Sequence, residues 1–296
     1  MNHPIVCFGE VLWDVLPSAE LPGGAPMNVA YHLHKLGLQP ALITRVGKDE
    51  KGTALENIFK AQGVCTDYFQ WDEAQPTGMV YAQLQENNEV TYDIVKPSAW
   101  DFIEWSEDLE KLVAGAQAFV FGSLAARSKT SASTLSRLLE VAQLKVLDIN
   151  LRAPHYTQQG IESLLYKADI LKLNEGELEL VSSWIGAYKQ TEDRVQAVAN
   201  RYGLKTVVVT LGSAGAFLYQ DGQTFSQTGF AVTVKDTIGS GDAFLAGLLS
   251  KLLAEEKPNQ ALAFANGMGA LMATKSGGCP VYSVDEVQAL VAAKNV

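Results

Sequence analysis

The sequence predicts an α/β fold: a mostly parallel central sheet with helices on both faces (Rossmann-like), plus a small β lid. Three observations carry this. Short apolar runs alternate with helical patterns along most of the chain. Polar or glycine residues follow many of those runs, among them Gly9-Glu10, Gly47, Gly122, Asn150, Asn174 and Gly212. Residues 77–94 break the alternation and read as a hairpin.

Each element follows from its residues. The run at 5–8 is short and wholly apolar, as a strand buried on both faces should be. Residues 11–16 supply a strand to the lid. A glycine turn then leads into a helix over 25–36. A strand at 41–46 and a helix at 53–62 come next. The lid strands are expected at 78–85 and 89–94, joined by the tight polar link Glu86-Asn87-Asn88. Beyond them the alternation resumes, with strands at 118–121, 145–149, 169–173 and 206–210 and helices at 130–142 and 191–202. An apolar run from 243 to 253 has room for about three further helical turns.

Bulk properties bound the function. The 296 residues, 47% of them apolar, suit one large domain with a sizeable core, its lid formed by about residues 11–24 and 77–100. The net charge of −10, with Lys and Arg scattered, argues against nucleic-acid or membrane partners. Cys7, Cys65 and Cys279 are far apart, show no metal-ligand spacing, and read as reduced thiols of a cytoplasmic protein. Met1-Asn2-His3-Pro4 carries no signal-peptide pattern, and no run reaches the ~20 apolar residues of a membrane span.

The most chemically explicit segment is Asp236-Thr237-Ile238-Gly239-Ser240-Gly241-Asp242. A small-residue turn opens a helix there, and the first N–H groups of a helix attract anions, phosphate above all. Asp242 adds a carboxylate that can take a hydroxyl proton. Backbone N–H groups of Gly239, Ser240 and Gly241 can cradle charge on a transferred phosphoryl group. The plain alternative is that Asp242 caps the helix. Elsewhere the same duality holds. Asp14, Gly23, Gly24 and Asn28 suit the hydroxyls of a polyol, or form a glycine turn and a capped helix. Arg152 steadies a phosphate or a sugar oxygen, or joins a surface ion pair. Asn174 and Glu177, three apart, hold hydrated Mg²⁺ or cap a helix. Thr210, Gly212 and Gly215 admit a nucleotide to the backbone, or make a plain turn after a strand.

Taken in order, these segments resemble the ribokinase-like carbohydrate kinases, the PfkB family, over essentially the whole chain. The resemblance rests on residues 23–30, on Val46-Gly47-Lys48-Asp49-Glu50-Lys51-Gly52, and on 148–152, 174–177, 210–215 and 236–242. Residues 9–17 are most similar to those of bacterial fructokinases. The resemblance implies a ribokinase-like fold and ATP-dependent phosphorylation of the 6-hydroxyl of D-fructose to fructose 6-phosphate. It implies Asp242 as base, Gly239 to Gly241 as anion hole and Arg152 at the transferring phosphate. Asp14, Gly23, Gly24 and Asn28 would bind sugar. Asn174, Thr210, Gly212, Gly215 and Asn266 would bind nucleotide. Asn174 and Glu177 would hold Mg²⁺ through water. Asp236 and the Ile238 carbonyl, with carbonyls around 273–278, would hold a monovalent cation such as K⁺. A homodimer through the lid is implied too.

Other readings are a kinase for ribose, 2-keto-3-deoxygluconate or adenosine, and a catalytically silent sugar-binding module. The lid segment Asp93-Ile94-Val95-Lys96 has no Arg to meet an acidic sugar, which favours a neutral one. Ser240 lacks the G-x-S-x-G setting of a hydrolase nucleophile. Gly9-Glu10-Val11-Leu12 is not a dinucleotide fingerprint, and Thr53 stands where a P-loop needs Lys.

Overall fold

The computed structural model describes residues 3–16, 19–84 and 90–293; the expected link Glu86-Asn87-Asn88 lies outside the described residues. From the amino end run β1 (Ile5–Phe8), β2 (Leu12–Leu16), β3 (Ala19–Gly23), α1 (Ala25–Lys35), β4 (Ala41–Gly47), α2 (Glu50–Ala61), β5 (Phe69–Asp72), β6 (Gly78–Leu84) and β7 (Val90–Ile94). Next come α3 (Glu107–Gly115), β8 (Ala118–Gly122), α4 (Lys129–Val141), β9 (Lys145–Asp148), α5 (Gln158–Leu165), β10 (Ile170–Asn174), α6 (Glu175–Ser183) and α7 (Thr191–Tyr202). The last are β11 (Thr206–Thr210), β12 (Gly215–Gln220), β13 (Gln223–Thr228), α8 (Ser240–Leu252), α9 (Pro258–Ala273) and α10 (Val284–Ala293).

Among the described residues, nine strands form one sheet in the order β13-β12-β11-β10-β9-β8-β1-β4-β5. Pairing is parallel from β11 to β5 and antiparallel at the β12–β13 edge. Side chains alternate across the sheet. Val6 and Phe8 join a core covered by α3 to α7. Ile5 and Cys7 face a second core built from α1, α2 and α8 to α10. Both faces are therefore dry, which is why these strands read as unbroken apolar runs.

The small sheet has the order β3-β2-β6-β7. Its apolar base is Leu12, Val80 and Ile94 packed with Trp100 and Leu124. Asp49 ties it to the main body. One carboxylate oxygen accepts from Gly52 N at 2.7 Å and Thr77 Oγ1 at 2.6 Å, and the other accepts from Thr77 N at 2.9 Å. The segment at 46–52 is thus an anchor for the small sheet. Because Asp49 caps α2, that helix starts at Glu50, three residues before the predicted start. Among the described residues, no helix is long and apolar enough to cross a membrane.

Candidate active site

Parallel register assembles the site. Lys172 on β10 pairs with Asp148 on β9, and Asn174 pairs with Thr210 on β11. Polar residues at the strands' carboxyl ends therefore share one edge, where open α/β sheets bind ligands. Lys172 interrupts the apolar strand β10 and is buried. Its Nζ donates to Asp148 Oδ2 at 2.8 Å. Burial alone would lower the Lys172 pKa, but Asp148 and Asp242 together hold it above the usual lysine range.

Helix α8 opens at this edge. Its N-cap is Gly239, in the left-handed region at φ 74°, with no side-chain cap. A Cβ on Gly239 would come within 2.5 Å of the Gly278 Cα, so only glycine lets the two loops meet. Asp242 sits in the first turn and is not the cap. Its Oδ2 instead accepts from Asn28 Nδ2 at 2.8 Å, across 214 residues of sequence. The residue as a whole is half-buried, and loss of hydration raises the pKa of its carboxyl to about 6. Lys172, the Asn28 hydrogen bond and Arg152 oppose that rise, and Asp148 adds to it. Ser240 Oγ is buried there with no hydrogen-bond partner.

The residues predicted to hold a sugar gather around Asp242. Asp14 on β2 packs against the Gly23 Cα so closely that a side chain at 23 would overlap its carboxylate. Gly24, at φ 119°, presses on the Glu10 carbonyl in the same way. Burial raises Asp14 to about 6, with Asp242 adding, Arg152 opposing and Asp236 adding. Arg152 itself is exposed at the rim, its Nη1 donating to the Leu151 carbonyl at 3.2 Å.

The remaining predicted residues extend along the edge. Asn174 and Glu177 form a reciprocal capping box on α6, with bonds of 2.9 and 2.8 Å. The other Glu177 oxygen accepts from Leu151 N at 2.8 Å. Gly212 and Gly215 take φ 57° and 110° in the turn after Thr210. Asn266 on α9 donates to the Thr228 carbonyl at 2.8 Å, and Thr228 pairs with Gly215, so this group is contiguous. Asp236 accepts from Ile238 N and Gly277 N, both at 3.0 Å, joining the loop before α8 to the loop after α9. The Ala273 carbonyl accepts from the N–H groups of Lys235 and Asp236. Among the described residues, no group of three or more His, Cys, Asp or Glu is arranged to hold a metal.

Lys172 and His32 escaped sequence reasoning, which placed Glu10 at a strand end and Gly278 in the 273–278 loop without the roles described next. Lys172 was detectable only as a charge within an apolar strand. Glu10 is 3% exposed, its Oε2 has no partner, and burial raises it to about 7. Gly278 packs on the Asn28 amide, 2.6 Å from where its Cβ would be. His32 is fully buried, and burial lowers its pKa to about 4, so it is neutral. Its Nε2 donates to the Gly278 carbonyl at 2.9 Å, while Nδ1 accepts from the Tyr282 hydroxyl at 3.1 Å.

Known proteins resemble this chain in sequence and in fold. The pfkB family carbohydrate kinase model matches residues 8–283. A probable chloroplastic fructokinase-6 of Arabidopsis thaliana is 32% identical, over 95% of this chain and 80% of that one. Fructokinase from Vibrio cholerae O395, solved with fructose, ADP and calcium ion, superposes with a TM-score of 0.85 at 27% identity, over 98% of this chain and 99% of that one. Fructokinase from Xylella fastidiosa with bound ATP superposes with a TM-score of 0.87 at 23% identity, covering 100% of both chains.

Proposed function

This chain belongs to the pfkB family of carbohydrate kinases and is an ATP-dependent sugar kinase, and we propose that it phosphorylates the 6-hydroxyl of D-fructose, giving fructose 6-phosphate. The observation that carries the mechanism is the Asp242 carboxylate, set at the mouth of α8 and held by Asn28.

Asp242 takes the proton of the 6-hydroxyl as its oxygen bonds to the γ-phosphorus and the bond to the ADP oxygen breaks. Backbone N–H groups of Gly239 and Gly241 stabilise the charge on the moving phosphoryl group, the Ser240 N–H, which donates to the Thr237 carbonyl at 3.2 Å, joins them when that bond opens, and Arg152 approaches from the rim. The unpartnered Ser240 hydroxyl suits the same anion. Asp14, Gly23, Gly24 and Asn28 hold the sugar. Asn174, Thr210, Gly212, Gly215 and Asn266 line the nucleotide side.

The donor set fits a hydrated divalent ion carried mainly by phosphates, not an all-protein cage. Glu177 and Asn174 would hold the waters of Mg²⁺, and the buried Asp148 Oδ1, which has no partner, is a free acceptor beside them. When bound, the ion neutralises phosphate charge. Asp236, whose two oxygens each keep a lone pair, and the Ile238 carbonyl suit a monovalent cation such as K⁺. Tyr81 and Tyr92 are both exposed, on opposite faces of the small sheet by register, and favour a homodimer through that sheet.

Fructose is favoured over acidic sugars because the segment at 93–96 offers no Arg, and relatives named fructokinase support it. The test is ADP release with fructose, ribose, adenosine and 2-keto-3-deoxygluconate as acceptors. Fructose should give the highest kcat/KM. A higher value for any of the others would reassign the substrate, and no sugar-dependent ADP release would overturn catalysis.

A further inference from the structure

We propose that Lys172 is a positioning charge of this site: its ammonium, paired with Asp148 and packed beneath Gly241, keeps the Asp242 carboxylate ionised and the mouth of α8 attractive to phosphate. This rests on the reading of Asp242 as base.

The bland account is that Lys172–Asp148 is an ion pair that steadies the sheet. Two observations speak against it. Asp148 Oδ1 is buried with no partner, so the pair is hydrogen-bonded on one side only. Buried pairs of that kind add little to stability. The ammonium also lies directly under the helix mouth, since a Cβ on Gly241 would come 2.9 Å from Lys172 Nζ. Leu171 and Leu173, its neighbours on β10, are wholly buried in the core on the opposite face. The alternation of the strand therefore turns Lys172 toward the face covered by α8.

The charges around Asp242 come from every element that packs on it. Glu10 reaches it from the segment after β1, Asp14 from β2, Asp148 from β9 and Arg152 from the loop after β9. Lys172 comes from β10, with Glu177 of α6 acting on Lys172. From α1 the contact is the neutral Asn28 amide, and from the loop before α10 it is the Cys279 thiol. Acids outnumber cations in this set. Of the two cations, Arg152 is exposed and screened by solvent, whereas Lys172 is buried and acts on Asp242 more strongly than any other charge. Without it, the proton acceptor would face carboxylates on several sides.

The test is a carbon-13 NMR titration of the Asp242 carboxyl in the full chain, run on wild type, Lys172→Met, Asp148→Asn and the double variant. The midpoint should lie about one unit or more higher in Lys172→Met than in wild type. It should rise similarly from Asp148→Asn to the double variant, where loss of the lysine strands no buried carboxylate. The acidic limb of kcat against pH should move in the same direction. Coincident midpoints within the Asp148→Asn comparison would overturn the proposal, and that comparison decides alone if Lys172→Met does not fold. Wild-type turnover in Asp242→Asn would remove the base assignment, while the midpoints would still decide the role of Lys172.

Discussion

Arg127–Asp101 and Lys172–Asp148 are both ion pairs almost free of solvent, with side chains 0% and 1% exposed in the first and 9% and 6% in the second. Their hydrogen bonding differs. Arg127 grips Asp101 with two bonds of 2.7 and 2.8 Å, and donates to the Val95 carbonyl at 2.7 Å. Ser98 N completes the carboxylate at 3.0 Å, and the guanidinium stacks 3.8 Å from the Trp100 ring centroid. Both charged groups there are satisfied by protein, at the point where the small sheet meets the main body, although the Trp100 Nε1 beside them is buried without a partner. Lys172–Asp148 lies at the strand ends, makes one bond, leaves one carboxylate oxygen unpartnered and adjoins further acids. A closed pair holds structure together. An open pair beneath a helix mouth is electrostatically unfinished, which is the pattern of a binding site and not of a structural clamp.

Perturbing each side should separate these roles. The largest effect belongs to the open side. Asp242→Asn should lose roughly 10²–10⁴-fold in turnover while keeping its fold and nucleotide binding. Steady-state kinetics alongside circular dichroism would check this, and near-normal turnover would return Asp242 to a structural role. Arg127→Met attacks the closed side. It strands a buried carboxylate, so urea unfolding should show a loss of about 3–5 kcal/mol, with KM for sugar little changed in the folded fraction. A stable variant with poor sugar binding would show that the clamp belongs to the site.

The smallest effect is a pH dependence confined to the open side. Asp242 is raised to about 6, so the folded chain keeps a proton that the unfolded chain releases near ~4. Stability should therefore fall as pH rises from about 4 to about 6, by on the order of 2 kcal/mol from this carboxyl. Asp14 at about 6 and Glu10 at about 7 act in the same sense, the latter extending the window. Turnover should move oppositely, rising as Asp242 ionises. Denaturation at pH 4.5 and 7 (~2.5 units apart), repeated in Asp242→Asn, measures it; an unchanged slope in the variant would show that Asp242 is not the group.

What could be read from residues alone was local. β1, α7 and β11 have the predicted bounds, because apolar runs and caps depend on near neighbours. The mouth of α8 was equally legible. β12 and β13 were not predicted: Gln223–Thr228 is largely polar and partly exposed, and the short apolar run inside Gly215–Gln220 was passed over because it follows a glycine turn. β3 was hidden because Pro22 and Gly23 read as a turn; its proline is tolerated at the edge of the small sheet. Lys172 looked like one charge among many, and Glu10, legible as a strand-end residue, showed no sign of its burial.

By itself, the sequence determined the layered α/β architecture, the glycines that allow close backbone approach, and the carboxylate in a helix mouth. Each depends on residues a few positions apart. Tertiary structure alone decided that Asn28 holds Asp242 and that register sets Lys172 beside Asp148. It also decided that burial pushes Asp14, Asp242 and Glu10 upward. Desolvation and pairing depend on what surrounds a group in space, and that is settled only when distant segments pack.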